Sequence, residues 1–142
     1  MTDATDTPAS VAELKSAGFK RVGHWRLTVA GDGIVLDGKA ERIAGVYAYV
    51  VDGVVYYVGS AQRGLHTRFQ RYVTSQTMRT SMRIRNKIIG FLTQGRTVEV
   101  FAISPPAFEW KGLPVDLVAG LEEGLIRSMR PDGNKRGNRP IR

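Results

Sequence analysis

The chain has 142 residues, with 21 Lys+Arg against 13 Asp+Glu, two His and no Cys. That length carries one domain with a real core, and the absence of Cys excludes disulfides, thiol nucleophiles, iron–sulfur clusters and Cys-based zinc sites. No apolar run approaches the roughly 18 residues of a membrane span, and the first ten residues lack the apolar stretch of a secretory signal. No membrane partner and a cytoplasmic setting are therefore expected. The charge is unevenly spread. Residues 1–41 hold six acids and five bases, whereas residues 42–142 hold seven acids and sixteen bases. Between Asp52 and Glu99 there is no acid, and Arg63, Arg68, Arg71, Arg79, Arg83, Arg85, Lys87 and Arg96 all fall there. Arginine suits bidentate phosphate contacts, so a polyanionic partner, nucleic acid first, is expected.

In chain order, residues 1–9 read as a disordered lead. Ser10 and Glu13 form a capping box that opens a short helix from about Val11 to Ala17, stopped at Gly18. Trp25–Ala30 and Ile34–Leu36 flank Gly31-Asp32-Gly33 as a hairpin. A second hairpin joins Gly45–Val51 to Val54–Gly59 around Asp52-Gly53. Helices are expected over about Leu65–Val73 and Ser81–Thr93, and a strand over Thr97–Ile103, ended by Pro105-Pro106. The last helix runs over Asp116–Met129, closed by Pro131 and Gly133. The order predicts an α+β fold: a small antiparallel sheet of about three strands flanked by helices, with an N-terminal helix-hairpin extension. Residues 1–42 form that extension, and 43–142 a domain ending in a basic tail.

The second hairpin allows two registers. A two-residue Asp52-Gly53 turn pairs Val51 with Val54 and sends Tyr47 and Tyr57 to opposite faces. A three-residue loop pairs Val50 with Val54 and Tyr47 with Tyr57. One face then carries Tyr47, Tyr49, Val55 and Tyr57, and the other Val46, Ala48, Val50, Val54, Tyr56 and Val58. The second register is expected, because it yields both a joint tyrosine site and a continuous apolar face.

Gly45-Val46-Tyr47 and Tyr57-Val58-Gly59, then Arg68 within YVGSAQRGLHTRFQRY, then Glu122 with Pro131 and Asn134 in EEGLIRSMRPDGN, stand in a telling order and spacing. Together they resemble the GIY-YIG nuclease superfamily over roughly residues 43–137. The resemblance implies a metal-dependent endonuclease acting on phosphodiester bonds in DNA. Glu122 would hold a single Mg²⁺ or Mn²⁺, and Arg68 would contact the scissile phosphate. Tyr47 would serve as general base, with Tyr57 orienting the water or sharing the role. A free phenol near pKa ~10 is a poor base at neutral pH, so Arg68, the metal or another cation should lower it. Tyr72 belongs to the same site or packs in the core. Asn134 would buttress the Glu122 helix or the hairpin. Ser60 stands where the excision-repair branch has lysine, and Gly133 where an aromatic is usual.

Helix geometry separates the two adjacent carboxylates. At ~100° per residue, Leu117, Val118, Leu121, Leu125 and Met129 form a buried arc with Glu122 inside its edge, whereas Glu123 points outward toward Arg127. Arg63, Arg71, Arg83, Arg85 and Lys87 would line the nucleic-acid backbone around Arg68. His24 and His66 lie in different segments and imply no metal-ligand pair. The alternative reading is a catalytically weak or inactive DNA-binding module on the same fold.

Overall fold

The Asp52-Gly53 turn decides how the central hairpin is built. Both residues have positive φ, 50° and 85°, as a tight two-residue turn matching strand twist requires. Asp52 tolerates this because its carboxylate accepts from the Thr97 amide (3.2 Å), the Thr97 hydroxyl (3.1 Å) and Arg96 Nε (2.8 Å). The expected three-residue loop is thus replaced by a two-residue one. Strand β3 (Gly45–Val51) pairs with β4 (Val54–Ala61) as Val51↔Val54 and Val50↔Val55, and then the register shifts. Tyr56 is the extra residue of a bulge, beyond which Tyr49 faces Tyr57 and Tyr47 faces Gly59. The bulge returns Tyr57 to the side of Tyr47 and Tyr49, so the tyrosines share a face despite the short turn. Three placements change accordingly: Val54, opposite Val51, leaves the expected apolar face and stands exposed, and its two neighbours exchange sides. Val55 joins Val46, Ala48, Val50 and Val58 on the opposite face. Tyr56 leaves that face and packs its ring on Phe91, 4.9 Å between centroids.

The computed structural model describes residues 10–74 and 79–134; the expected disordered lead and basic tail lie outside them. Helix α1 (Val11–Ser16) is capped by the Ser10 hydroxyl, which accepts from the Ala12 amide at 3.1 Å. The sheet has five antiparallel strands, not about three, in the order β2-β1-β5-β3-β4. The two added strands are β1 (Lys20–Leu27) and β2 (Ile34–Gly38), which extend the sheet through β5 (Val98–Ile103). A Cβ at Gly23 would run into the Asp37 carbonyl, so glycine lets β1 and β2 approach at Gly23↔Gly38.

Helices α2 (Leu65–Thr74) and α3 (Arg79–Thr93) cover the tyrosine face, where Trp25, Tyr47, Tyr49, Phe69, Tyr72, Ile84 and Ile88 are all essentially buried. Helix α4 (Leu117–Met129) covers the other face with α1, through Val118, Leu121, Leu125 and Ile126. Between β5 and α4 stands a separate hairpin, β6 (Phe108–Trp110) with β7 (Leu113–Val115). It carries four of the seven large hydrophobics exposed among the described residues. A single 3₁₀ turn, Asp132–Asn134, follows α4.

Candidate active site

The expected catalytic residues gather about β4, with Arg68 and the tyrosines on one side and Glu122 on the other. Tyr47 is fully enclosed, and its ring lies over Gly59, where any side chain would collide with it. Its hydroxyl is hydrogen-bonded to the Tyr72 hydroxyl at 2.9 Å and accepts from Arg68 Nε at 3.1 Å. The Arg68 guanidinium also lies over the Tyr72 ring, 5.1 Å from its centroid. Tyr72, itself buried, is therefore both a core residue and part of the support of Arg68. Arg68 is half-buried, held on one side by a rigid aromatic platform, and opens on the other into a cleft of about 120 Å³. Ser60, Arg63, Thr67 and Arg71 also line that cleft.

Burial is the first cause acting on the tyrosine cluster. It pushes the Tyr47 phenol far above its ordinary value, and Tyr57 adds to the rise, while Arg68 and the bond to Tyr72 only partly oppose it. The expectation that Arg68 lowers this phenol is thus reversed in net effect: desolvating the charged form outweighs the nearby cation. Tyr72 and Tyr49 are raised for the same reason. Tyr57 is also raised by burial, opposed by the bond to Tyr72 and by Arg68 and Arg83, with Glu122 adding to the rise. It is the phenol of this group that keeps 6% exposure and feels the Glu122 carboxylate.

From the other side of β4, Glu122 is half-buried and its Oε1 accepts from the Ser60 hydroxyl at 2.9 Å. Among the described residues it forms no ion pair. Glu123 instead faces outward and pairs with Arg127 at 3.0 Å. The N-terminus of α4 is fixed to the same loop: Asp116 caps the Ala119 amide at 3.0 Å and accepts from Gln62 Nε2 at 2.9 Å. Ser60 and Gln62 were not expected as site residues. The clue available for them was their position directly after the Tyr57-Val58-Gly59 strand.

Asn134 clamps the edge of β4 from outside. Its Oδ1 accepts from the Val58 amide at 2.8 Å and its Nδ2 donates to the Val58 carbonyl at 2.9 Å. Both functional ends of the amide are consumed, so it buttresses the hairpin directly beside Tyr57. A side chain at Gly133 would come within 2.7 Å of the Tyr56 carbonyl, which explains glycine at that position.

The basic residues do not form one face. Arg63 and Arg71 line the cleft with Arg68. Arg83 donates Nη2 to the Gly133 carbonyl at 3.0 Å and so braces the 3₁₀ turn. Lys87, one turn further, is exposed. Arg85 points the other way, with its guanidinium beside Gly33 and its buried Nε without a hydrogen-bond partner among the described residues.

Among the described residues no group of three or more His, Asp or Glu could hold a metal ion. The donor set is one carboxylate and one hydroxyl, both hard oxygen ligands. That set fits Mg²⁺ or Mn²⁺, which take one or two carboxylates and complete their shell with water and phosphate.

No family model and no curated protein sequence matches the chain. Among solved structures, a mutant of bacteriophage T4 EndoII superposes with a TM-score of 0.70 over 87% of this chain and 96% of its own, at 18% identity. The chain thus has the fold of EndoII. The restriction endonuclease HPY188I in complex with product DNA aligns over 99% of this chain and 94% of its own, with a TM-score of 0.49 and 14% identity. No helix among the described residues is long and apolar enough to cross a membrane.

Proposed function

We propose that the protein is a DNA endonuclease of GIY-YIG type, hydrolysing phosphodiester bonds with one divalent metal. The observation that carries this reading is Glu122. A half-buried carboxylate is costly to desolvate without a cation, yet among the described residues the hydrogen-bond partner of Glu122 is the Ser60 hydroxyl, with no cation paired to it. It stands at the strand edge where Arg68 is presented. The fold shared with EndoII agrees with it. Glu122, oriented by Ser60, would hold the ion, which when bound supplies charge stabilisation at the phosphoryl oxygens and a more acidic water.

The chain's own residues divide the remaining work. Arg68 meets charge building on the non-bridging oxygens as water attacks phosphorus, giving its proton to solvent, and the bond to the leaving sugar oxygen breaks, that oxygen taking a proton from solvent. Its approach is preorganised by Tyr47 and Tyr72, so no reorientation is needed at the moment of reaction. Tyr57, the phenol that feels Glu122, orients the attacking water. Tyr47 is a positioning residue acting through Arg68, an assignment supported by its complete burial and its two occupied hydrogen bonds. Asn134 keeps β4 in place beneath Tyr57. The alternative, a catalytically weak or inactive DNA-binding module, draws on the same burial of Tyr47.

Incubating plasmid, single-stranded, flap and junction DNA, and RNA, with Mg²⁺ or with chelator separates the two. Glu122→Gln is expected to abolish cleavage while leaving DNA affinity in chelator within about twofold, and Glu123→Ala to change neither. DNA binding without Mg²⁺-dependent cleavage in the wild type would select the binding module. Equal loss from both glutamate variants would remove Glu122 as the metal ligand.

A further inference from the structure

Helix α2 separates two grooves. Thr67, Arg68 and Arg71 face the cleft described above, whereas His66, Gln70 and Val73 face a larger groove, of about 390 Å³, between α2 and β2. That volume falls within the ~300–1,000 Å³ of small-ligand sites. Its floor is apolar, formed by Leu36, Val73 and Phe69, and its rim carries Lys39, Arg42 and His66. No acid lines it. Of the nearby acids, Asp37 reaches His24 on the other face of β1 at 3.6 Å, and Glu41 lines a neighbouring groove that Lys39 also borders. Among the described residues, Lys39, Arg42 and His66 form no ion pair. Arg42 lies against Gly64, the residue just before α2, so the two grooves meet around the start of that helix.

We propose that this groove takes one unpaired nucleotide of the substrate, its base on the apolar floor and its phosphate on Lys39 and Arg42. The proposal rests on the nuclease reading and deepens it, since it makes the substrate class DNA with a single-stranded segment beside the cut. Cations alone would serve any phosphate backbone. The apolar floor decides between substrates, because a duplex keeps its base faces stacked and only a splayed-out nucleotide presents one. The Gln70 amide, at the wall, supplies a donor and an acceptor for a base edge.

The test uses the full chain in chelator, so that nothing is cut, and fluorescence anisotropy on three labelled DNAs: a blunt duplex, the same duplex with a four-nucleotide overhang, and that overhang made abasic. The intact overhang is expected to bind about tenfold tighter than the blunt duplex, the scale of burying one base, with the abasic form between them. Lys39→Ala with Arg42→Ala, both exposed, should erase the overhang advantage and leave blunt-duplex affinity within about twofold. Leu36→Ser should erase only the difference between intact and abasic overhangs. Equal binding of intact and abasic overhangs, no overhang advantage, or equal weakening of blunt and overhang DNA by the double variant would each overturn the proposal. The groove is also probed directly, by titrating deoxythymidine 5′-monophosphate and following the Leu36 and Val73 methyl resonances. Shifts absent, or reproduced by inorganic phosphate alone, overturn it. A protein that shows these shifts with the nucleotide but cuts no substrate with Mg²⁺ keeps the groove and loses the nuclease reading.

Discussion

Removing the Tyr47 hydroxyl tests the support of Arg68 most directly. In Tyr47→Phe the ring still fills its place over Gly59, but two bonds go: the 2.9 Å contact with Tyr72 and the 3.1 Å bond from Arg68 Nε. The fully buried Tyr72 hydroxyl loses its Tyr47 partner and keeps its bond with Tyr57, which costs about 1–3 kcal/mol, offset in part because Tyr47 no longer buries a hydroxyl of its own. A net loss of about 1–2 kcal/mol is expected. Tyr72→Phe should cost about 1 kcal/mol or less, because the Tyr47 hydroxyl still accepts from Arg68 and is not orphaned. With both changes neither position 47 nor position 72 buries a hydroxyl, so the double variant should lose about 1 kcal/mol less than the sum of the singles. Urea unfolding of the four proteins reads this cycle as shifts in midpoint at constant slope. Single-turnover cleavage reads the functional half: Tyr47→Phe should slow it more than Tyr72→Phe, because only the former releases the Arg68 Nε. Additive stabilities together with equal slowing by the two variants would refute the platform and leave both tyrosines as packing.

Asn134→Ala should cost about 2–4 kcal/mol, since it strands both the amide and the carbonyl of Val58; urea midpoints check this, and an unchanged midpoint would remove the clamp. Alkaline stability follows from burial: Tyr47, Tyr49, Tyr57 and Tyr72 all have phenols raised above 10.0 in the folded protein. The folded state therefore holds more protons above pH 10, and its stability should be steady below about pH 10. Above that it should fall by up to about 1.4 kcal/mol per pH unit for each tyrosine. Unfolding midpoints that stay level from pH 9 to 11 would contradict this. Arg63→Ala with Lys87→Ala, both exposed, should flatten the log–log salt dependence of duplex binding by about 0.9 per lost contact. Arg83→Ala should in addition lower the unfolding midpoint, because it releases the Gly133 carbonyl; an unchanged slope in the first variant would take Arg63 and Lys87 off the phosphate backbone.

Local periodicity and turn chemistry are written along the chain, and they determined much of this protein. The spacing of apolar residues placed α2 and α4 and set Glu122 at the inner edge of its helix, with Glu123 beside Arg127. Asp52-Gly53 marked the hairpin, and Ser10 the start of α1. Tertiary structure alone decided the rest, because it depends on partners distant in sequence. The β1 strand joins the sheet through β5, which lies some 78 positions away along the chain, as the 2.7 Å bond from Arg21 to Glu99 marks. No local pattern announces such a pairing. A single bulge at Tyr56 reconciled a two-residue turn with a shared tyrosine face, a solution that alternation by twos does not contain. The division of labour between Tyr47 and Tyr57 followed from which ring Gly59, Tyr72 and Arg68 enclose. Desolvation, and with it the direction of a phenol's pKa, is a property of everything packed around the group and not of its neighbours in sequence.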